Sequence, residues 1–261
     1  MKKVLSIGLA AMMAMSLTAC GGKEAESAPA AEASGTETSG SVLKLGVTGP
    51  LTGPNAAYGN AVANGVDLAV KEINAAGGVN GMTLEVKAED DEADPEKVIN
   101  AYNNLKDWGM QMFIGATTSG ATISVAAETA NDNMFQITPS GSAVECVAND
   151  NAFRVCFADP DQGTASAKYI GENKLATKVA IIYDSSSEYS SGVREAFVKE
   201  APNEGIEVVA DEAFTADTNT DFSVQLDKAK EAGAELVFLP IYYQEASVIL
   251  KQAADKGFDP I

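Results

Sequence analysis

The chemistry available to this sequence lies in hydroxyls and phenols placed just after short apolar runs. Ile114 is followed by Gly115-Ala116-Thr117-Thr118-Ser119-Gly120, and Thr138 by Pro139-Ser140-Gly141-Ser142. Tyr183 is followed by Asp184 through Ser187 and then Tyr189, and Leu239 by Pro240-Ile241-Tyr242-Tyr243. The turn-rich Gly49-Pro50-Leu51-Thr52-Gly53-Pro54 leads to Tyr58. Ser119 stands where a helix should open. A helix start offers free backbone N–H groups and the positive end of the dipole, which suits a carboxylate. Singly, Ser119 is equally an N-cap and Ser140-Gly141-Ser142 equally a turn. Together they fit non-covalent capture of a small polar solute by hydrogen bonds.

Other chemistry is poorly provided for. The chain has no His, which removes Ser-His-Asp and Cys-His catalysis and the common His metal sites. Glu89, Asp90, Asp91, Glu92 and Asp94 cluster, but without the glycine of a calcium loop they read as a solvated turn before a helix cap. Asp217, Asn219 and Asp221 alternate like calcium ligands, yet Phe222 stands where glycine is needed. No phosphate-binding or dinucleotide glycine pattern occurs, so no cofactor and no metal is expected. The net charge of −19 opposes nucleic acid and anionic lipid surfaces as partners.

Strands alternating with helices must position these loops. Strands are predicted at Val42–Val47, Met82–Val86, Met112–Ile114, Met134–Thr138 and Ala152–Phe157. Helices are predicted at Tyr58–Ala75, from Asp94-Pro95 through Leu105, and at Ser119–Thr129. The second carries an N-cap, a proline at its first position and one face of Val98, Ile99, Tyr102 and Leu105. Trp108 at its end reads as packing. The rhythm restarts with a helix at Asp161–Gly171 and a strand at Lys178–Tyr183. A helix at Ser190–Ala201, a strand at Ile206–Val209, a helix at Asp221–Ala232, a strand at Glu235–Leu239 and a helix at Gln244–Lys256 follow. The fold class is therefore α/β, with two doubly wound lobes, 42–160 and 161–261, and mostly parallel sheets. The join lies near Ala158-Asp159-Pro160-Asp161-Gln162-Gly163. The chain stops at Phe258-Asp259-Pro260-Ile261, where the rhythm calls for another strand, so the second lobe is expected to be partial.

The first forty residues follow other rules. Lys2 and Lys3 precede an apolar run from Val4 to Leu17, too short to span a bilayer and laid out as a signal peptide over residues 1–19. Leu17-Thr18-Ala19-Cys20 resembles the lipobox of bacterial lipoproteins, which implies acylation of Cys20. Beyond Cys20, residues Gly21 to Ser41 hold no aliphatic side chain larger than Ala and no aromatic, a composition that predicts a disordered tether. With Cys20 acylated, Cys146 and Cys156 remain as a candidate disulfide, two reduced packed thiols being the alternative.

From about Leu43 onward the sequence resembles the periplasmic leucine/isoleucine/valine-binding protein family, the capture subunits of branched-chain amino acid ABC transporters. The carriers are Thr52-Gly53-Pro54 with Tyr58-Gly59, the run Glu72 to Gly81, Asp90-Asp91 with Asp94-Pro95, Ile114-Gly115 with Ser119, Ile137-Thr138-Pro139-Ser140, and Asp161-Gln162-Gly163. The resemblance implies a periplasmic binding protein of type I, with Ser119 and Ser142 giving hydroxyls to a ligand carboxylate and Ser140 offering backbone groups. It implies Tyr58 as a wall from the first lobe, and Tyr189 and Tyr242 closing from the second. It further implies an extracytoplasmic, lipid-anchored monomer that is not an enzyme and hands an amino acid to permease subunits. The acid with which the family grips the ligand ammonium falls beyond Ile261. Relatives that bind amides, urea or aromatic acids, or that serve a signalling receptor, stay open as alternatives.

Overall fold

A computed structural model describes residues 41–261. The expected signal peptide, the expected acylation site Cys20 and the expected tether up to residue 40 lie outside the described residues. Among the described residues, eight strands and seven α-helices follow one another, mostly in alternation. The first lobe runs β1 (Val42–Gly49), α1 (Ala56–Ala75), β2 (Thr83–Asp90), α2 (Pro95–Asp107), β3 (Met112–Ile114), α3 (Ser119–Asn131), β4 (Gln136–Thr138) and β5 (Ala152–Arg154). The second runs α4 (Asp159–Glu172), β6 (Lys178–Asp184), α5 (Glu188–Glu200), β7 (Glu207–Phe214), α6 (Ser223–Glu231), β8 (Leu236–Phe238) and α7 (Tyr243–Asp255).

Every pairing between strands is parallel, in the orders β2-β1-β3-β4-β5 and β7-β6-β8. Both sheets belong to one compact unit. Each reverses direction around its first strand, so each has a switch point where flanking loops part and leave a crevice. Period-2 alternation divides the side chains between faces. Phe113 packs with Tyr102, Leu105 and Val125 of α2 and α3, whereas Met112 and Ile114 pack with Val70 of α1. In the second lobe Val179 and Ile181 face Ala167, Ile170 and Phe197 of α4 and α5, and Ala180 and Ile182 face Leu226 and Ile249 of α6 and α7. Both sheets are thus covered on two sides, as the alternating sequence predicts.

Local chemistry accounts for several boundaries. Asp94 caps α2, its Oδ1 accepting from Glu96 N at 2.8 Å and Lys97 N at 2.9 Å, with Pro95 following. This matches the predicted cap. Helix α4 starts at Asp159, two residues before the predicted Asp161, because Pro160 in the first turn lacks only an N–H that no helical carbonyl needs. The expected lobe boundary therefore falls inside its first turn. Strands β2 and β7 run longer than predicted. Their ends, Lys87-Ala88-Glu89-Asp90 and Ala210 to Phe214, are mostly half-exposed, and main-chain pairing with β1 and β6 extends them where apolar pattern does not. Strand β5 is shorter, ending at Arg154, and Val155 to Ala158 link the two sheets.

Helices α4 and α5 meet at unusually short range. A Cβ at Gly163 would lie 2.3 Å from Val193 O and 2.8 Å from Phe197 N. Only a glycine allows the two backbones to touch there. At the far edge of β8, Ile261 donates to Glu235 O at 3.0 Å and accepts from Val237 N at 3.1 Å.

Candidate functional site

The carboxyl ends of β3 and β4 and those of β6 and β8 face one cavity of about 310 Å³ between the sheets. Its wall includes Tyr58, Ser119, Ser140 and Ser142 from the first lobe and Tyr189 and Tyr242 from the second. All six residues singled out in the sequence therefore meet in one place. A larger hollow of about 760 Å³ adjoins it at Phe157 and Gln162 and runs against Tyr169, Leu236 and Phe238. It is lined mainly by apolar groups and offers few hydrogen-bonding partners, so it does not compete as a polar site.

Ser119 is the first residue of α3 and is 2 % exposed. Its Oγ accepts from Ser142 N at 3.1 Å and from Ala143 N at 3.2 Å, tying the β3 loop to the β4 loop. Both accepted bonds leave the hydroxyl proton free to donate. Ser140 Oγ donates to Thr117 O at 2.5 Å, so its hydroxyl proton is committed and Ser140 can offer a ligand donor only its main-chain N–H. Ser142 is 4 % exposed, and Arg154 Nη1 fixes its carbonyl at 3.0 Å. Thr118, the cap residue of α3, also lines the cavity, and its buried Oγ1 has no hydrogen-bond partner among the described residues. An orphaned hydroxyl at a helix start marks a place where an outside partner is needed.

The opposite wall is aromatic. Tyr242 stacks on Tyr189 with ring centroids 5.3 Å apart, and Tyr58 approaches Tyr242 at 5.6 Å and Tyr243 at 5.4 Å. Gln162 Nε2 donates to the Tyr189 hydroxyl at 3.2 Å. Burial pushes the phenols of Tyr58, Tyr189 and Tyr242 above their ordinary range, so all three remain neutral donors at physiological pH.

Cys146 and Cys156 are free thiols, not a disulfide. Cys146 is fully buried, its Sγ 3.8 Å from Ser119 O, and burial pushes it up to about 12. Cys156 is half-buried in the cavity wall. The extended run that holds Cys156 and Phe157 places both beside the ligand space, as the sequence reading did not foresee. Thr117, Thr118, Gln162 and Ile241 were likewise unassigned, although all four stand in runs already noted. No cluster of His, Cys, Asp or Glu suited to a metal occurs among the described residues.

Residues 42–261 match the sequence model of the periplasmic binding protein family. The chain belongs to this family. It is 34 % identical over 223 residues to Leu/Ile/Val-binding protein homolog 3 of Brucella melitensis, covering 84 % of this chain and 60 % of that one. It is 31 % identical over 219 residues to the leucine-, isoleucine-, valine-, threonine- and alanine-binding protein of Pseudomonas aeruginosa, covering 83 % and 58 %. Among solved structures, the branched-chain amino acid transporter substrate-binding protein LivJ of Streptococcus pneumoniae, in complex with isoleucine, superposes with a TM-score of 0.78 at 33 % identity. That superposition covers 84 % of this chain and 62 % of LivJ. The leucine-binding protein LivK of Thermotoga maritima gives 0.76 at 26 % identity, covering 84 % and 61 %. The chain thus spans about 60 % of the length of these relatives. The resemblance seen in the sequence and the two-lobed parallel fold are both borne out.

Proposed function

We propose that this periplasmic binding protein is the capture subunit of an ABC importer and takes a small amino acid, of branched-chain type, into the interlobe cavity. The observation that carries this reading is the pairing of a helix start with an aromatic wall across one small cavity. The free proton of Ser119, the orphaned hydroxyl of Thr118 and the α3 N-terminus suit a carboxylate. Ser142 adds a third hydroxyl, and Ser140 its backbone. Tyr58, Tyr189 and Tyr242 enclose an aliphatic side chain. The names of the relatives point to the same ligand class.

On this reading the lobes, 42–160 and 161–261, close on the ligand, and the liganded monomer is read by permease subunits. Residues 1–19 are a signal peptide, and Cys20 carries the lipid that holds the protein outside the membrane. Calorimetric titration of the full-length protein with leucine, isoleucine and valine, beside acetamide, urea and 4-hydroxybenzoate, tests the proposal. Heat with the amino acids alone supports it, and heat only with the others overturns it. Mass spectrometry of the membrane fraction should find Cys20 acylated at the mature N-terminus.

A further inference from the structure

The main chain of Ser142 and Ala143 is held from two sides. Ser119 Oγ takes their N–H groups at 3.1 and 3.2 Å. On the opposite side Arg154 Nη1 donates to Ser142 O at 3.0 Å and to Ala143 O at 3.1 Å. Ser142 O also accepts from Asp159 N at 2.9 Å, and Ala143 O from Cys146 N at 3.1 Å. Every main-chain donor and acceptor of the two residues is therefore engaged. Arg154 is half-buried at the end of β5, opposite Thr138 of β4, and does not border the ligand cavity. Its guanidinium reaches the cavity only through this peptide.

The peptide joining Ser142 to Ala143 is trans, so its C=O and N–H point in opposite directions. A donor at Ser142 O thus turns the Ala143 N–H toward Ser119. A serine oxygen has two acceptor positions and one proton. With both positions filled by amides, the proton is the one group left to the Ser119 hydroxyl, and it must be given to an acceptor. Were the peptide free to turn, one position would open, and Ser119 could accept from a ligand as readily as donate to it. Arg154 is suited to prevent this, since a planar, permanently charged guanidinium serves two carbonyls from a fixed direction.

We infer that Arg154 is a positioning residue that fixes Ser119 as a hydrogen-bond donor to the ligand carboxylate. It acts through the Ser142-Ala143 peptide and touches no ligand. The consequence is a selection rule. This end of the cavity receives acceptors, and a group that can only donate finds no partner on Ser119. The inference rests on the amino-acid reading above and deepens it by assigning the direction of one bond.

A double-mutant cycle on the full-length protein tests it, with leucine affinity measured by calorimetry for wild type, Arg154→Met, Ser119→Ala and the double variant. Arg154→Met should bind leucine about tenfold more weakly than wild type. In the Ser119→Ala background the same change should cost less than about twofold, because the group through which Arg154 acts is already gone. A merely structural role would lower affinity by the same factor in both backgrounds. That result, or undiminished affinity in Arg154→Met, overturns the inference. Arg154→Lys keeps the charge but not the planar fork, and it takes the place of Arg154→Met in the cycle should that variant not fold. Hydrogen exchange followed by NMR gives a readout without ligand. The amides of Ser142 and Ala143 should exchange about tenfold faster in the Arg154 variant than in wild type. Equal protection overturns the inference. Failure of leucine to bind the wild type overturns the amino-acid reading alone, and the exchange rates then decide the clamp by themselves.

Discussion

The ring of Tyr58, on the first helix of one lobe, lies 5.6 Å from that of Tyr242, just before the last helix of the other. Tyr243 meets the same ring at 5.4 Å. Contact between lobes is therefore aromatic on that side of the cavity and holds them together before any ligand is counted. Pairs of this kind contribute about 0.5–1.5 kcal/mol each beyond their buried area. Tyr58→Ala removes both pairs. Leucine affinity should fall about tenfold, and solution scattering of the free full-length protein should show a more open particle. An unchanged scattering profile would show that the lobes are held elsewhere.

Ser119 has a structural and a binding task at once, because its Oγ accepts two main-chain N–H groups while its proton stays free. Ser119→Ala orphans the amides of Ser142 and Ala143. The expected cost is about 1–3 kcal/mol of folding stability, together with a tenfold to hundredfold loss in affinity. Ser142→Ala should reduce affinity by a similar factor at a smaller cost in stability. Thermal unfolding and calorimetry on the two variants separate the tasks. Equal stability losses would contradict the bonding described.

The two thiols should behave differently toward an alkylating reagent. Cys146 is fully buried and pushed up to about 12, so it should react only on unfolding. Cys156 borders the cavity and should react slowly in the native protein. Saturating leucine should protect Cys156. Peptide mapping after brief alkylation checks this, and a ligand-independent rate at Cys156 would place the ligand elsewhere.

Asp91 gives the first lobe a pH response. It is fully buried beneath Thr48, and burial lifts its pKa to about 6, with one oxygen held by Ala93 N at 2.8 Å. A carboxyl with a raised folded pKa takes up protons more readily folded than unfolded. Its stabilising effect is complete below the unfolded value and is lost as pH rises through about 6. Unfolding temperature should thus increase as pH is lowered from neutral toward about 5, by the equivalent of at most about 3 kcal/mol. Asp91→Asn should reduce that dependence, leaving the share of Asp159, which burial also lifts to about 6. A wild-type curve that falls over the same interval would reverse the sign argued here.

The legible parts of this molecule were those governed by near neighbours in the chain. The apolar stripe of α2 and its Asp94-Pro95 start are visible in the letters, and so is the placement of Ser119, Ser140 and Ser142 after strands. The polar ends of β2 and β7 were not, because only pairing with a distant strand makes them strands. The same holds within the site. That Ser140 turns its hydroxyl to Thr117 O, and that Cys156 and Phe157 border the cavity, depends on how two loops meet. Asp159 was passed over as part of a linker, since nothing in its flanking residues announces that its carboxylate will be buried without a partner.

The seam at Gly163 has a bearing on ligand size. Tyr189 sits on the first turn of α5, and at Gly163 α5 approaches α4 main chain to main chain. Main chain does not change rotamer, so the spacing of that seam cannot relax as an ordinary packed interface does. The aromatic slot inherits its gauge from this contact. A single methyl group at position 163 would shift the whole helix and narrow or widen the slot, and the fitted side chain would change with it. Drift in ligand preference within such a protein can therefore begin at a residue that no ligand ever meets.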